Sequence, residues 1–246
     1  MRRKWNRRRW RDDAQQGGYC MTTVVIGADK GIGLEIVKAL VARKTPNVLA
    51  VCLGDGADAA PHAAQVIGHV NVVSTEDVGH MAAAIGEMFP SIEMLLHVSG
   101  IMSMDALGAL DYEQAKREFD INALGPLRTV EACLPLLKEG SKVGIVTSRI
   151  GSLSDNASGG QYAYRLSKVA ANMAGLNLHH DLSKRGIAVR MLHPGMVKTD
   201  LVKVYPGEYN YITPAQAALG LIARMDDLTL AESGQFRHGN GELLPW

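Results

Sequence analysis

Cysteine is scarce. Cys20, Cys52 and Cys133 are the only three, they lie far apart, and no CxxC pair exists. That argues against a disulfide framework and against a thiolate zinc cage. Eight histidines are present but none forms an HExxH, so a metalloprotease reading fails and no metal site is expected. Long apolar runs are also missing. None approaches the roughly 18–20 residues of a membrane helix. Net charge is nearly absent at +1. What remains is ordinary for a soluble globular chain: 246 residues, 47% apolar and 21% charged. That composition excludes a disordered or collagen-like chain, and the length suits one large α/β domain.

The small net charge hides an asymmetry. Residues 1–11 hold seven of the 26 basic residues and no acid, which leaves 19 basic against 25 acidic residues, a net charge of −6. A mildly acidic body is a poor partner for nucleic acid. Residues 1–21 read as a basic, disordered arm, with Trp5 and Trp10 set among arginines. A secretory leader would need an apolar stretch of about 7–15 residues, absent here. A mitochondrial leader is the alternative reading, though the arm lacks serine. The expected compartment is the cytoplasm, with no membrane partner.

From residue 22 onward strands and helices alternate. Strands are predicted at 22–27, 48–53, 70–73, 93–98, 142–147 and 187–192, with a short last one at 234–236. Helices are predicted at 31–43, 78–89, 112–138 (interrupted at Gly125-Pro126), 161–184 and from 213 to 224. In the first helix Ile32, Ile36 and Leu40 recur at four-residue spacing, one apolar face. Such alternation predicts one doubly wound parallel sheet with helices on both faces, spanning 22–246. Ligands bind such sheets outside the carboxyl ends of the strands, where strand order reverses.

Three groups of residues carry chemistry. Gly27, Gly31 and Gly33 form a GxxxGxG loop between the first strand and the first helix. Glycines let the backbone approach a pyrophosphate, and a helix amino end offers free N–H groups. A tight turn alone would look the same, so the loop's weight comes from its place in the first βα unit. An acid about 20 residues on would bond a ribose 2′-hydroxyl. The second strand ends instead in Val51-Cys52-Leu53, with Asp55 just beyond it. Lys30 is placed to pair with a 2′-phosphate, which favours NADP(H) and leaves NAD(H) open. Next, Tyr164 and Lys168 are a YxxxK pair, four apart on one helix face. An ammonium beside a phenol favours the phenolate and lowers its pKa from about 10. Lastly, Ser148 ends the fifth strand, where it would bond a substrate carbonyl. Asn122 precedes Gly125-Pro126, and a proline there frees a carbonyl one turn earlier. His193-Pro194-Gly195 follows the sixth strand.

Taken in this order, the motifs resemble the short-chain dehydrogenase/reductase family over residues 22–246. The resemblance implies a Rossmann-like fold and an oxidoreductase. It implies Tyr164 as general acid/base, Lys168 as ribose-binding partner of that phenol, Ser148 as carbonyl orienter and Asn122 as proton relay. It also implies cofactor contacts from Gly27, Asp29, Lys30, Gly31, Ile32 and Gly33, and from Leu53, Asn71 and Val72. Further contacts fall on Ser99 and Gly100, on Tyr164 and Lys168 themselves, and on Pro194, Gly195, Val197 and Thr199. Finer features resemble the C-factor-like subgroup, which includes sniffer-type carbonyl reductases: Ser148-Arg149-Ile150-Gly151-Ser152, Asp155-Asn156, Tyr162-Ala163-Tyr164-Arg165 and the ending Pro245-Trp246.

Three departures from the family pattern stand out. Ile26 replaces a threonine, His97-Val98-Ser99-Gly100 replaces Asn-Asn-Ala-Gly, and Asn71 replaces an adenine-contacting aspartate. The first two are expected to be cross-strand neighbours, changed together so that no polar group is orphaned. The expected reaction is NADP(H)-dependent reduction of small or medium aldehydes and ketones, under a short lid at 201–212 bearing Tyr205, Tyr209 and Tyr211. The competing reading is a dinucleotide-binding sensor or signalling protein with little turnover. Leu and Met on several faces of the two long helices predict a homodimer or homotetramer.

Overall fold

The computed structural model describes residues 22–204 and 209–246. The expectations for the basic arm and for Tyr205 lie outside these residues. Seven strands form one parallel sheet in the order β3-β2-β1-β4-β5-β6-β7. They are β1 (Thr23–Ile26), β2 (Val48–Val51), β3 (Gln65–Ile67), β4 (Ile92–His97), β5 (Leu137–Val146), β6 (Ala188–His193) and β7 (Phe236–His238). The helices are α1 (Gly31–Ala42), α2 (Thr75–Met88), α3 (Tyr112–Phe119), α4 (Gly125–Cys133), α5 (Tyr162–Leu182) and α6 (Pro214–Asp226). This is the expected doubly wound α/β fold. Strand order reverses between β1 and β4, so a cleft opens above their carboxyl ends.

Both sheet faces are buried, and the β-branched strands suit that. One apolar cluster gathers Val24, Ile26, Leu95 and Ile145 with Val78 of α2, Val130 of α4 and Leu176 of α5. The other gathers Val25, Leu96 and Leu192 with Ile36 of α1 and Leu221 of α6. Helix starts follow their caps. Ser74 accepts from the Asp77 N–H at 3.1 Å, and Asp111 accepts from the Glu113 and Gln114 N–H groups at 3.0 Å each. Thr213 and Gln216 close a capping box on α6.

Two sequence expectations need correction. The third strand is Gln65–Ile67, not 70–73. Val70 and Val72 alternate as a strand would, and both are buried, but the chain between them is tied locally. Asn71 donates its N–H to Asp77 and its side chain accepts from Val73 N at 3.2 Å, a turn that leads into α2. The predicted 112–138 helix is really α3, a π-helical turn (Asp120–Leu124) and α4. Pro126 has no N–H for the carbonyl of Asn122, and the helix widens there, with Gly125 N bonding Asp120 O. Pro135 follows α4 closely, and residues 137–138 belong to β5.

Candidate active site

The glycine loop is curled as tightly as its sequence implies. Gly27 has φ +85° and Gly31 has φ +57°. A Cβ on Gly27 would lie 2.5 Å from Ser99 Oγ, and one on Gly33 would overlap the Gly27 carbonyl oxygen. The loop therefore packs against the β4 turn on one side and draws α1 close on the other. Lys30 N-caps α1 with no side chain accepting from the first turn, which leaves an amino end suited to an anion. Thr199 stands over the loop, 3.5 Å from where a Gly31 Cβ would be.

Asp29 and Lys30 diverge. The Asp29 carboxylate accepts from Leu53 N at 2.9 Å and Gly54 N at 2.8 Å, at the end of β2. Lys30 turns the other way and pairs with Asp200 at 2.8 Å, both side chains exposed. Asn71 and Val72 sit past β3, with Val72 against α4 near Gly125. Leu53, Asn71 and Val72 are thus at the β2 side of the cleft, away from the tyrosine.

Ser148, Tyr164, Ile32, Pro194, Gly195, Val197 and Thr199 meet around one cavity of about 320 Å³. Ser148 stands in extended conformation at the end of β5 and caps the short 3-10 turn Arg149–Gly151. Lys168 lies behind Tyr164. It is buried, donates to Val146 O at 3.2 Å, and has its ammonium 5.6 Å from the Tyr164 ring centroid. Burial pushes its pKa down to about 8, against an opposing pull from Glu118. Asn122 is also buried. Its side chain accepts from Ile101 N at 2.9 Å and donates to Ile101 O at 2.8 Å and to Ser167 Oγ at 2.9 Å. Gly100 fits between it and the lysine: a Cβ there would lie 3.2 Å from Asn122 Oδ1 and 3.4 Å from Lys168 Nζ.

The two altered positions are cross-strand neighbours as expected, but the expectation that no polar group is orphaned fails at His97. Ile26 pairs with His97 across β1 and β4, and both are buried. Neither ring nitrogen of His97 has a hydrogen-bond partner among the described residues, and burial drives its pKa to about 3, so it stays neutral. His193 is likewise held neutral, its pKa near 3 through burial first and His238 second. Sequence reasoning missed the charged rim of the cavity, where Arg149 pairs with Asp155 at 2.5 Å and Arg165 lies alongside. It also missed Glu118, fully buried on α3. Its position four residues before Asn122, on the same side of the helix, was the available signal.

A glycine loop at the reversal point, with Ser148, Tyr164 and Lys168 gathered beside it, is the arrangement expected of a dinucleotide-binding oxidoreductase. Comparison with known proteins makes this specific. The short chain dehydrogenase family model matches residues 21–209. The chain belongs to the short-chain dehydrogenase/reductase family, and it is an enzyme of that family. It is 55% identical over 225 residues to 1-hydroxy-2-glutathionyl-2-methyl-3-butene dehydrogenase of Rhodococcus sp. (strain AD45), covering 92% of this chain and 99% of that one. It is 41% identical to the C-signal of Myxococcus xanthus over 63% of this chain and 93% of that one, in keeping with the C-factor-like subgroup. The NADPH-bound carbonyl reductase from chicken fatty liver superposes with a TM-score of 0.81 at 25% identity, covering 92% and 98% of the two chains. Carbonyl reductase Sniffer of D. melanogaster shares the fold, with a TM-score of 0.84, 24% identity and 92% and 99% coverage. Among the described residues no helix is long and apolar enough to cross a membrane. No group of three His, Cys, Asp or Glu side chains among them is placed to hold a metal ion.

Proposed function

We propose that the chain interconverts an alcohol and a small or medium aldehyde or ketone, with NADP(H) as its dinucleotide and Tyr164 as general acid/base. The observation that carries this reading is the buried Lys168 ammonium set against Tyr164 at the wall of the cavity. When bound, the dinucleotide supplies or accepts the hydride. The chain's own residues do the rest. The glycine loop and the α1 amino end hold the pyrophosphate, Ser148 orients the substrate oxygen, and Tyr164 gives or takes its proton. Asn122 holds the loop at Ile101 and leads through Ser167 to the carbonyl of Tyr164. A sensor that only binds dinucleotide has no use for this set, which argues for turnover.

The first substrate to test follows from the Rhodococcus relative: the alcohol of a glutathione conjugate. The rim suits it, since Arg149, Arg165 and Asp155 offer both signs of charge to a zwitterionic peptide arm above a largely apolar throat. A panel of glutathionyl alcohols and simple aldehydes, read at 340 nm with both dinucleotides, decides the matter. Cofactor binding with no turnover anywhere in the panel would restore the sensor reading.

NADP(H) draws support from Lys30, whose pair with Asp200 is solvent-exposed and weak, and so readily exchanged for a phosphate. Lys30→Ala should then raise the KM for NADPH alone. NAD(H) is the second reading, and Asp29 favours it: a carboxylate at the end of β2 suits a 2′-hydroxyl and repels a 2′-phosphate. Better turnover with NADH selects it. We also propose a homodimer or homotetramer. Tyr112, Phe119, Tyr162, Leu166 and Met173 expose apolar surface on α3, its π turn's approach and α5. A monomer by light scattering at micromolar concentration would contradict this.

A further inference from the structure

We propose that Glu118 is a positioning residue of the reaction: a buried counter-charge that keeps the Lys168 side chain in its ammonium form. This rests on the reading of Lys168 and Tyr164 given above. Glu118 is fully buried, and α3, which carries it, packs against α5, which carries the lysine. Carboxylates are rarely buried without a paired charge. One oxygen is well used. It accepts from Ser103 N at 2.6 Å, Ser103 Oγ at 2.5 Å and Gln114 Nε2 at 3.4 Å. The other, Oε2, is buried with no hydrogen-bond partner among the described residues. A carboxylate kept in so dry a place for Ser103 alone would be a poor solution. An amide or hydroxyl would hold the loop without a charge to bury.

The surroundings of Lys168 explain the need. From β4 it faces His97 and from β6 His193, both neutral; from its own helix it faces Tyr164. Its nearest hydrogen-bond partner is an uncharged carbonyl, that of Val146. Burial favours the neutral amine, and Glu118 is the group that opposes it. The two helices thus bring together a lysine that must be charged to act on the phenol and the carboxylate that keeps it so. Glu118 also steadies the segment carrying Met102 into the cavity wall, which Asn122 pins at Ile101 and Glu118 at Ser103.

The test separates charge from packing. Glu118→Gln keeps an oxygen for Ser103 N and loses the charge. The basic limb of the kcat/KM profile should move to lower pH by about one pH unit. Glu118→Asp keeps the charge and should leave the limb within a few tenths of its wild-type position. A second readout needs no turnover: the pH at which the stability difference between a chain with Lys168 and its Lys168→Met counterpart begins to change should fall in the Gln background. The proposal is overturned if the limb and this onset stay put in Glu118→Gln, or if Glu118→Asp moves them as far as Gln does. The underlying reading fails separately, and visibly, if Lys168→Met retains full turnover.

Discussion

Replacing Lys168 with methionine should make the protein's stability depend differently on pH, and the size follows from the site. The ammonium is buried, and its pKa falls from 10.5 to about 8. A group whose folded value lies below its unfolded value opposes folding at low pH. Below pH 8 both states carry the proton, and the full cost of the buried charge is present. As pH rises from about 8 to 10.5 the folded chain releases its proton first, and the cost disappears. At about 1.4 kcal/mol per pH unit this amounts to about 3 kcal/mol, or roughly 6–12 °C in melting temperature for a domain of this size. Lys168→Met removes the titration and keeps most of the side-chain volume. Urea denaturation of both proteins between pH 7 and 10.5, without dinucleotide, gives the difference directly. Titrations shared by the two chains cancel. The wild type should gain about 3 kcal/mol on the variant across this window. A difference that does not vary with pH would refute the reasoning, because the lysine would then keep an ordinary pKa.

The remaining predictions concern the cradle and the rear of the sheet. Gly33→Ala places a Cβ onto the Gly27 carbonyl oxygen, and the obstacle is the Gly27–Ala28 backbone, which cannot swing aside as a side chain would. Dinucleotide affinity, read by fluorescence titration, should fall at least about tenfold, equivalent to about 1.4 kcal/mol. Unchanged affinity would mean the loop is not the cradle. Arg190 is fully buried on β6 and bonds Asp227, Glu232 and the Arg224 carbonyl. Stripping its counter-charges with Asp227→Asn and Glu232→Gln should cost about 3–5 kcal/mol in urea unfolding. Arg190→Met should cost far less, since Asp227 and Glu232 are partly exposed and return to water. Equal losses would contradict that asymmetry.

The parts of the fold that were legible in the sequence are those set by local rules. β1, α1 and β2 announce themselves by β-branched runs and a four-residue apolar period. Gly27, Gly31 and Gly33 announce a tight loop. Tyr164 and Lys168 share a helix face by spacing alone. The parts that were not legible depend on distant partners. Gln65–Ile67 is a short, half-buried edge strand, whereas residues 70–73 have the stronger β pattern, but past Val70, which still donates to Cys52 O, Asn71 and Val73 bond locally. The π turn at Asp120–Leu124 follows from a missing proline N–H, and a sequence marks the break without stating how the helix absorbs it. Lys30 and Asp29 are neighbours whose side chains part company, one to Asp200 and one to β2. Nothing in their spacing distinguishes those partners. Glu118 reads as one more charge on an amphipathic helix until α3 is packed on α5.

The account stands on a proton exchanged by Tyr164, and Tyr164→Phe tests this most directly. Removing one hydroxyl leaves the ring in place beside Lys168 and the glycine loop untouched. Turnover of the preferred carbonyl or alcohol should fall by at least about a thousandfold, in line with loss of a general acid/base. Dinucleotide affinity should stay within a few-fold of wild type. A variant that keeps its turnover while binding dinucleotide normally would contradict the account.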